Sequence, residues 1–231
     1  MKHSTLLTVF VLFAFTNILL AQFKLGADIS SHYVWRGTAL HSAEAFQPAL
    51  TYTIGSLSIG AWGSYSAGGA GYAENDLWGS YALGPVTIYL TDYYIPTLLP
   101  ANATFFDYNT KMGTGSHVVE VGVGISGGET FPLSITGYYN VIGGTLDPDH
   151  SSYIQASYPF VVESTTLTTS IGLTPAKSTM WYGTTGAGVV SLGVALSKSI
   201  KFTEEFSLPF NMQYIMNPYA EKAYLIFGVS L

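Results

Sequence analysis

Short stretches in which hydrophobic and polar residues alternate recur from Phe23 to the C-terminus. Residues 119–125 place four aliphatic side chains on one face, and Glu120 with two glycines on the other. Residues 190–197 and 225–231 repeat the same period of two. Alternation with this period is the pattern of a β-strand that has one apolar face. The sequence therefore predicts an all-β protein.

About twelve such segments can be counted, and ten or fourteen remain alternatives. Most are close to the roughly 9–11 residues that a tilted transmembrane strand requires. Their predicted ranges are 23–36, 44–54, 57–66, 73–83, 86–95, 115–126, 131–141, 150–159, 163–173, 187–198, 205–216 and 222–231. An even number of strands would put both ends of the barrel chain on the same side.

The connections between these segments alternate in length. Gly55-Ser56, Gly84-Pro85 and residues 127–130 are tight turns, whereas the connection from Pro96 to about Thr114 is the longest. Short turns at one rim and longer loops at the other are typical of outer-membrane barrels. The pattern favours a single antiparallel up-and-down transmembrane β-barrel over a soluble sandwich.

The N-terminal residues form a different pattern. Lys2 and His3 precede an apolar stretch from Leu6 to Leu20, and Ala21 offers a small residue for cleavage. This arrangement predicts a secretory signal peptide over residues 1–21, with the barrel over residues 22–231. The product would be exported to the bacterial outer membrane.

Composition narrows the function classes. The chain is 10% charged and 48% hydrophobic, yet no apolar run beyond the N-terminus approaches the roughly 20 residues of a spanning helix. A formal net charge of −6 gives no support for nucleic-acid binding, which usually needs a basic face. The chain has no cysteine, so neither a disulfide nor a thiolate metal ligand is available.

Energetics predict which face of the strands meets lipid. Unsatisfied backbone amides in hydrocarbon cost several kcal/mol, so strands can span a membrane only as a closed barrel. The aliphatic rows would then point outward to lipid, and the small polar rows inward. The charged residues that share the polar phase are candidates for the lumen, and they are Lys24, Asp28, Arg36, Glu74, Asp76 and Glu120.

Five short motifs follow one another in the first half of the chain. They are Ser31–Gly37 (SHYVWRG), Gln47–Ala49 (QPA), Gly60–Ser64 (GAWGS), Glu74–Tyr81 (ENDLWGSY) and Asp92–Pro96 (DYYIP). This order resembles the TorF-type porin family, bacterial outer-membrane β-barrels of unknown function with an S-x-Y-x-[FW]-R-G motif. The resemblance covers residues 28–96, and the chain departs from it in ending on Leu231 rather than an aromatic residue. It implies an outer-membrane pore with no assigned substrate.

Arg36, Glu74 and Asp76 are predicted to form a charge cluster at the long-loop rim. Glu74 and Asp76 lie two residues apart on one strand, hence on one face, and Arg36 ends the first predicted segment near the same rim. Such a cluster could narrow a pore mouth or select charge there, or it could be a structural ion pair. Lys24, Asp28 and Glu120 are predicted as solvated lumen residues.

No motif for catalysis, cofactor binding or metal binding is apparent. His32, His41, His117 and His150 lack ligand spacing such as H-x-x-x-H, which favours rim or loop histidines. No Ser-His-Asp order is recognisable along the chain. We therefore expect neither an enzyme nor a cofactor.

Several functions remain open at this stage. The leading one is a narrow channel for passive passage of small solutes, because twelve strands enclose a smaller lumen than the 16–18 strands of general porins. A second is a non-conducting barrel with a structural role, or one whose long loops bind a partner. A lipid-modifying enzyme and a secreted soluble β-protein are further alternatives. Membrane lipid is the one partner that all the barrel hypotheses share.

Overall fold

The computed structural model describes residues 21–68, 71–111, 114–163 and 165–231. The predicted signal peptide lies almost entirely outside these residues. The described strands are β1 (Ala21–Ser30), β2 (Tyr33–Trp35), β3 (Thr38–His41), β4 (Ala45–Ile54), β5 (Leu57–Ser66), β6 (Ala73–Leu83), β7 (Val86–Tyr94), β8 (His117–Ser126), β9 (Ser134–Ile142), β10 (Ser152–Val162), β11 (Thr165–Thr174), β12 (Gly188–Lys201), β13 (Ser207–Asn217) and β14 (Lys222–Ser230). No helix among the described residues is long and apolar enough to cross a membrane.

Twelve of these strands form one closed antiparallel barrel. The order around the wall is β1-β14-β13-β12-β11-β10-β9-β8-β7-β6-β5-β4, so neighbours in sequence are neighbours in space apart from the closing pair. The seam pairs Asp28 with Ser230 and Ser30 with Gly228. The predicted all-β barrel of about twelve strands is confirmed.

The alternation of the sequence becomes the two faces of the wall. Outward positions carry apolar side chains that are largely exposed, such as Leu25 (80%), Leu77 (53%) and Leu90 (52%). Inward positions carry small and polar side chains together with aromatic ones such as Trp62, Trp78 and Tyr138. The strand registers place these inward residues opposite one another across neighbouring strands. Glu120 faces Thr91 on one side and Asn140 on the other, for example.

The connections divide the barrel into two rims. At the short-turn rim, β4–β5 and β6–β7 are joined by two-residue turns at Gly55-Ser56 and Gly84-Pro85. At the long-loop rim, the connections include residues 95–116, 143–151 and 175–187. The predicted alternation of short and long connections is therefore present.

The first predicted segment, 23–36, was wrong as a single strand. The wall strand β1 ends at Ser30, and residues 33–41 form a separate two-stranded hairpin of β2 and β3. The alternation continues through Tyr33 and Trp35 because this hairpin also has an apolar face. That face packs against aromatic side chains inside the barrel rather than against the outside. We call residues Tyr33–His41 the lumen hairpin.

Candidate functional site

The lumen hairpin turns at Arg36 and Gly37. Trp35 pairs with Thr38, which leaves these two residues as the loop. Both have positive φ, +47° at Arg36 and +82° at Gly37, as a two-residue type I′ turn demands. The turn therefore projects the Arg36 side chain from the tip of the hairpin.

Contacts with β12 and β13 hold the tip of the hairpin against the barrel wall. A Cβ atom at Gly37 would lie 1.8 Å from the backbone oxygen of Val190 in β12, so the position admits no side chain. The side-chain amide of Asn217 in β13 donates to the Gly37 carbonyl oxygen at 3.1 Å. The hairpin starts between β1 and β4, and its tip reaches β13 and β12, which are two and three strands away from β1 around the wall.

Arg36 forms a buried, two-pronged ion pair with Glu120 of β8. Its Nη1 and Nη2 atoms donate to Oε2 and Oε1 of Glu120 at 2.6 and 2.9 Å. The side chains are 10% and 3% exposed, respectively. Nη1 also donates to the Tyr182 hydroxyl at 2.7 Å, and the Tyr93 hydroxyl donates to Glu120 at 3.0 Å. Parallel paired hydrogen bonds of this kind fix geometry as well as adding energy.

Aromatic rings enclose the same guanidinium group. Its central carbon lies 4.3, 4.0 and 4.6 Å from the ring centres of Trp35, Tyr138 and Tyr153. Trp35 in turn stacks on Tyr182, with centres 5.7 Å apart and an interplanar angle of 11°. A cation over aromatic faces gains about 0.5–2 kcal/mol per good contact, more when water is excluded.

A glycine in the wall makes room for one of these rings. A Cβ atom at Gly172 of β11 would lie 1.9 Å from the hydroxyl oxygen of Tyr153. Tyr182, which belongs to the loop between β11 and β12, packs on Tyr153 with ring centres 5.4 Å apart. Burial raises the pKa of Tyr182, so its hydroxyl remains neutral and accepts the hydrogen bond from Arg36.

The predicted cluster of Arg36, Glu74 and Asp76 is only partly assembled. Arg36 directs both terminal nitrogens to Glu120, so the prediction of Glu120 as a solvated lumen residue is wrong: it faces inward, but it is buried in this ion pair. Glu74 and Asp76 do share one inward face of β6 near the long-loop rim, but neither is ion-paired with Arg36 in the described part of the chain. The difference arises because Arg36 lies at the hairpin tip, across the lumen, and not at the end of a wall strand.

Glu74 and Asp76 are instead buried among aromatic side chains at the long-loop rim. They are 2% and 6% exposed, and the Tyr72 hydroxyl donates to Oε2 of Glu74 at 2.7 Å. Burial, reinforced by the Glu74 charge, raises the pKa of Tyr72 and keeps it a donor. Tyr33 of the lumen hairpin packs against Tyr72 with ring centres 5.8 Å apart.

Lys24 and Asp28 lie on the inward face of β1 in the short-turn half of the barrel. Both are exposed, and they line a cavity of about 300 Å³ together with Thr51 and Trp62. A neighbouring cavity of about 230 Å³ lies against Trp35 and Arg36 and is otherwise lined mainly by inward residues of β10 to β13. The lumen is therefore polar and open towards the short-turn rim, whereas the lumen hairpin fills the half next to the long-loop rim.

The long connection between β7 and β8 packs against the outer surface of the wall. His117 and Asp92 both point outward, and Nδ1 of His117 lies 2.7 Å from Oδ1 of Asp92. The Tyr108 hydroxyl donates to Asp92 at 2.7 Å, and its ring stacks on His117 at 3.9 Å. His117 is thus a buried residue at the start of β8, and it lies at the long-loop rim, where a rim or loop position is predicted. Within the ranges that the structure describes, no group of three or more acidic or histidine side chains could hold a metal ion.

Sequence reasoning missed the hairpin and most of the tyrosines around Arg36. Tyr93, Tyr138 and Tyr153 were detectable, because the period of two places each of them in the inward phase of its strand. Tyr182 lies in a loop, where no periodicity indicates direction. The signal for the hairpin was the Arg36-Gly37 pair, but a two-residue turn needs Asn or Asp before Gly to be recognisable.

No family model matches the chain, and no curated protein sequence matches it either. An engineered variant of the porin from Rh. blastica aligns at 10% identity and a TM-score of 0.42, covering 91% of this chain and 99% of the porin. The chain spans only 55% of another variant of that porin, at a TM-score of 0.40 and 10% identity.

A further structural match is Wzi, an outer membrane protein involved in group 1 capsule assembly in Escherichia coli and described as a carbohydrate-binding β-barrel. It aligns at 11% identity and a TM-score of 0.37, and the match covers 91% of this chain and 56% of Wzi.

Proposed function

We propose that this protein is an outer-membrane channel for passive passage of small solutes, with the lumen hairpin as its narrowest part. The observation that carries the proposal is the division of the wall into two faces. Apolar side chains cover the outside, whereas Ser, Thr, Gln and charged side chains line the cavities inside. No catalytic step is assigned to the protein.

The outer face supports residence in a membrane. Soluble monomers rarely expose contiguous apolar patches larger than a few hundred Å². Here large apolar side chains are exposed on strands all around the barrel, including Leu25, Leu50, Leu90, Val123 and Leu225. In water these apolar rows would promote aggregation, whereas in a bilayer acyl chains solvate them. Strands span a membrane only as a closed barrel, and pairing of Asp28–Ser30 of β1 with β14 closes this one.

The position of the hairpin supports a constriction. Trp35 lines both the cavity at the long-loop rim and the cavity below it, so the hairpin lies between the two. Its tip is fixed by the Arg36–Glu120 ion pair and by the backbone contact of Gly37 with Val190. A solute that crosses the barrel would have to pass this layer.

The position of the hairpin inside the lumen also supports a second candidate, a non-conducting barrel that the hairpin plugs. Planar-bilayer recordings separate the two. For a channel, we expect small, stable currents from the wild type, and larger ones when residues 33–41 are replaced by a short Gly-Ser linker. A variant with residues 101–104 replaced is the control, because this segment belongs to the loop outside the barrel wall and should leave the current unchanged.

Each outcome of the recordings decides between the candidates. Wild-type silence with current from the hairpin-deleted variant would favour the plugged barrel. Silence from both proteins, folded as judged by heat-modifiable gel mobility, would refute the channel. Equal currents from both would refute the hairpin as the constriction.

A further inference from the structure

A cavity opens at the long-loop rim, on the side of the lumen hairpin that faces out of the barrel mouth. Its volume is about 270 Å³, slightly below the 300–1,000 Å³ of most small-molecule pockets, so it would suit a small ligand. Its walls combine the aromatic residues Trp35, Tyr72, Tyr93 and Trp181 with aliphatic ones such as Leu40 and Ile95, and Glu74 is its acidic residue. We call it the mouth cavity.

The aromatic walls are held in fixed positions. Trp181 packs edge-on against Trp35 and against Tyr93, with ring centres 5.5 and 5.6 Å apart. Trp35 and Tyr93 are 5.7 Å apart, so the three rings contact one another pairwise. The indole nitrogen of Trp181 is buried and has no hydrogen-bond partner among the described residues.

Among the residues that the structure describes, two carboxyl groups beside this cavity have no cationic partner. Glu74 and Asp76 lie two residues apart on the inward face of β6, about 7 Å by strand geometry. The Asp76 side chain is 6% exposed, and its Oδ1 atom has no hydrogen-bond partner in the described part of the chain. Asp76 pairs across the strands with Tyr93, whose ring lines the cavity. A buried carboxyl group without a counter-charge tends to hold a proton, and a cation bound beside it favours the ionised form.

Arg36 is not the cationic partner of Glu74 or Asp76. Both of its terminal nitrogens bond to Glu120, and its guanidinium group is enclosed by Tyr138 and Tyr153 on the other side of the hairpin. Glu74 receives a hydrogen bond from the neutral Tyr72 hydroxyl, which supplies no positive charge. The mouth therefore combines carboxyl groups that have no cationic partner in the described part of the chain with aromatic rings.

We propose that the mouth cavity binds a small organic cation, with its ammonium group beside Glu74 and its alkyl groups against Trp35, Tyr93 and Trp181. Aromatic faces attract ammonium groups through the negative charge of the ring face, and this arrangement is the common way in which proteins recognise quaternary ammonium. A hydrated divalent metal suits these walls poorly, since Mg²⁺ retains its waters and prefers oxygen ligands. The site does not depend on whether the barrel conducts.

Choline is a suitable probe, because 3,3-dimethyl-1-butanol has the same shape without the charge. Purified barrel in detergent would be titrated with each compound and followed by calorimetry and tryptophan fluorescence. We expect saturable binding of choline, and binding of the neutral alcohol at least tenfold weaker. Equal affinity for the two compounds, or no saturable binding of choline, would overturn the proposal. This comparison uses the wild-type protein and needs no variant.

Variants then locate the site. Glu74→Gln should weaken choline binding at least tenfold, and Asp76→Asn should weaken it to a smaller degree. Glu129→Gln is the matched control, because Glu129 is exposed in the turn between β8 and β9 at the opposite rim. Heat-modifiable mobility checks that each variant is folded. Unchanged affinity in a folded Glu74→Gln protein would refute the site.

Competition experiments test the class of ligand. Excess MgCl₂ or KCl, compared at equal ionic strength, should displace choline no better than screening predicts, and glucose should not displace it. Specific displacement by Mg²⁺ or by glucose would overturn the assignment to organic cations. A barrel that binds choline and passes no current would leave this proposal intact and refute the channel, so the two failures are distinguishable.

Discussion

Loss of the Arg36 charge should release the lumen hairpin from the wall. In Arg36→Met, the side chain keeps much of its length but leaves Glu120 buried at 3% exposure without a partner. Removal of one member of a buried ion pair typically costs about 3–5 kcal/mol. The loss of three ring contacts acts in the same direction. At about 1.4 kcal/mol per factor of ten, the population of undocked hairpin should rise about 10²- to 10³-fold.

Hydrogen exchange measures this population directly. Peptides that cover residues 33–41 should exchange about 10²- to 10³-fold faster in Arg36→Met than in the wild type, because their amides are exposed when the hairpin opens. Peptides from the wall strands β12 and β13 should change far less. A double variant, Arg36→Met with Glu120→Gln, should recover part of the protection, since it removes the unpaired carboxylate.

Lys177→Met is the control for a lost cation. Lys177 pairs with Asp149 at 2.9 Å, but its side chain is 61% exposed, and exposed pairs contribute little. No resolvable change in exchange over residues 33–41 is expected. If Arg36→Met accelerates exchange there by less than tenfold, or if it destabilises the wall equally, the hairpin is not held by this ion pair.

Two other positions give sharp expectations. Gly37→Ala should open the hairpin as strongly as Arg36→Met, because its Cβ would meet the Val190 backbone. Gly55→Ala is the control: φ is +56° and nothing lies within 4 Å of the new Cβ, so it should cost only local backbone strain of about 1 kcal/mol. Equal hydrogen-exchange profiles for the two variants would contradict this expectation. Hydrogen bonds from Lys177 and Thr179 lower the pKa of Asp149 to about 2. The carboxylate's contribution to stability should be complete above the unfolded value of about 4 and lost as the pH falls through 2. A carboxyl NMR titration with its midpoint near 4 would contradict that.

The strands of the barrel wall were predictable from the sequence because the alternation that marks them lies within each short segment. Each strand has an apolar side and a polar side, so a period of two appears in the sequence wherever a strand crosses the barrel. The predicted ranges 57–66 and 73–83 match β5 and β6 to the residue. The lumen assignments of Lys24, Asp28 and Glu120 follow from the same alternation, and the register places all three inward.

The interior was less predictable because its contacts join distant parts of the chain. Alternation cannot distinguish a strand that continues in the wall from one that folds back into the lumen, which is why Tyr33 and Trp35 were assigned to the wall. The pairing of Arg36 with Glu120 spans 84 residues and depends on the hairpin crossing the barrel. Tyr182 approaches from a loop, where direction has no sequence signature.

The location of the four tryptophans provides the most direct test of a lipid-embedded barrel. Trp35, Trp62, Trp78 and Trp181 all lie inside the barrel or at its mouth, none on the outward face of a strand. In vesicles whose acyl chains carry bromine, native fluorescence should be quenched only weakly. The added fluorescence of Leu90→Trp, at an outward position in the middle of β7, should be quenched strongly. Strong quenching of the native tryptophans, or none of the added one, would contradict the account.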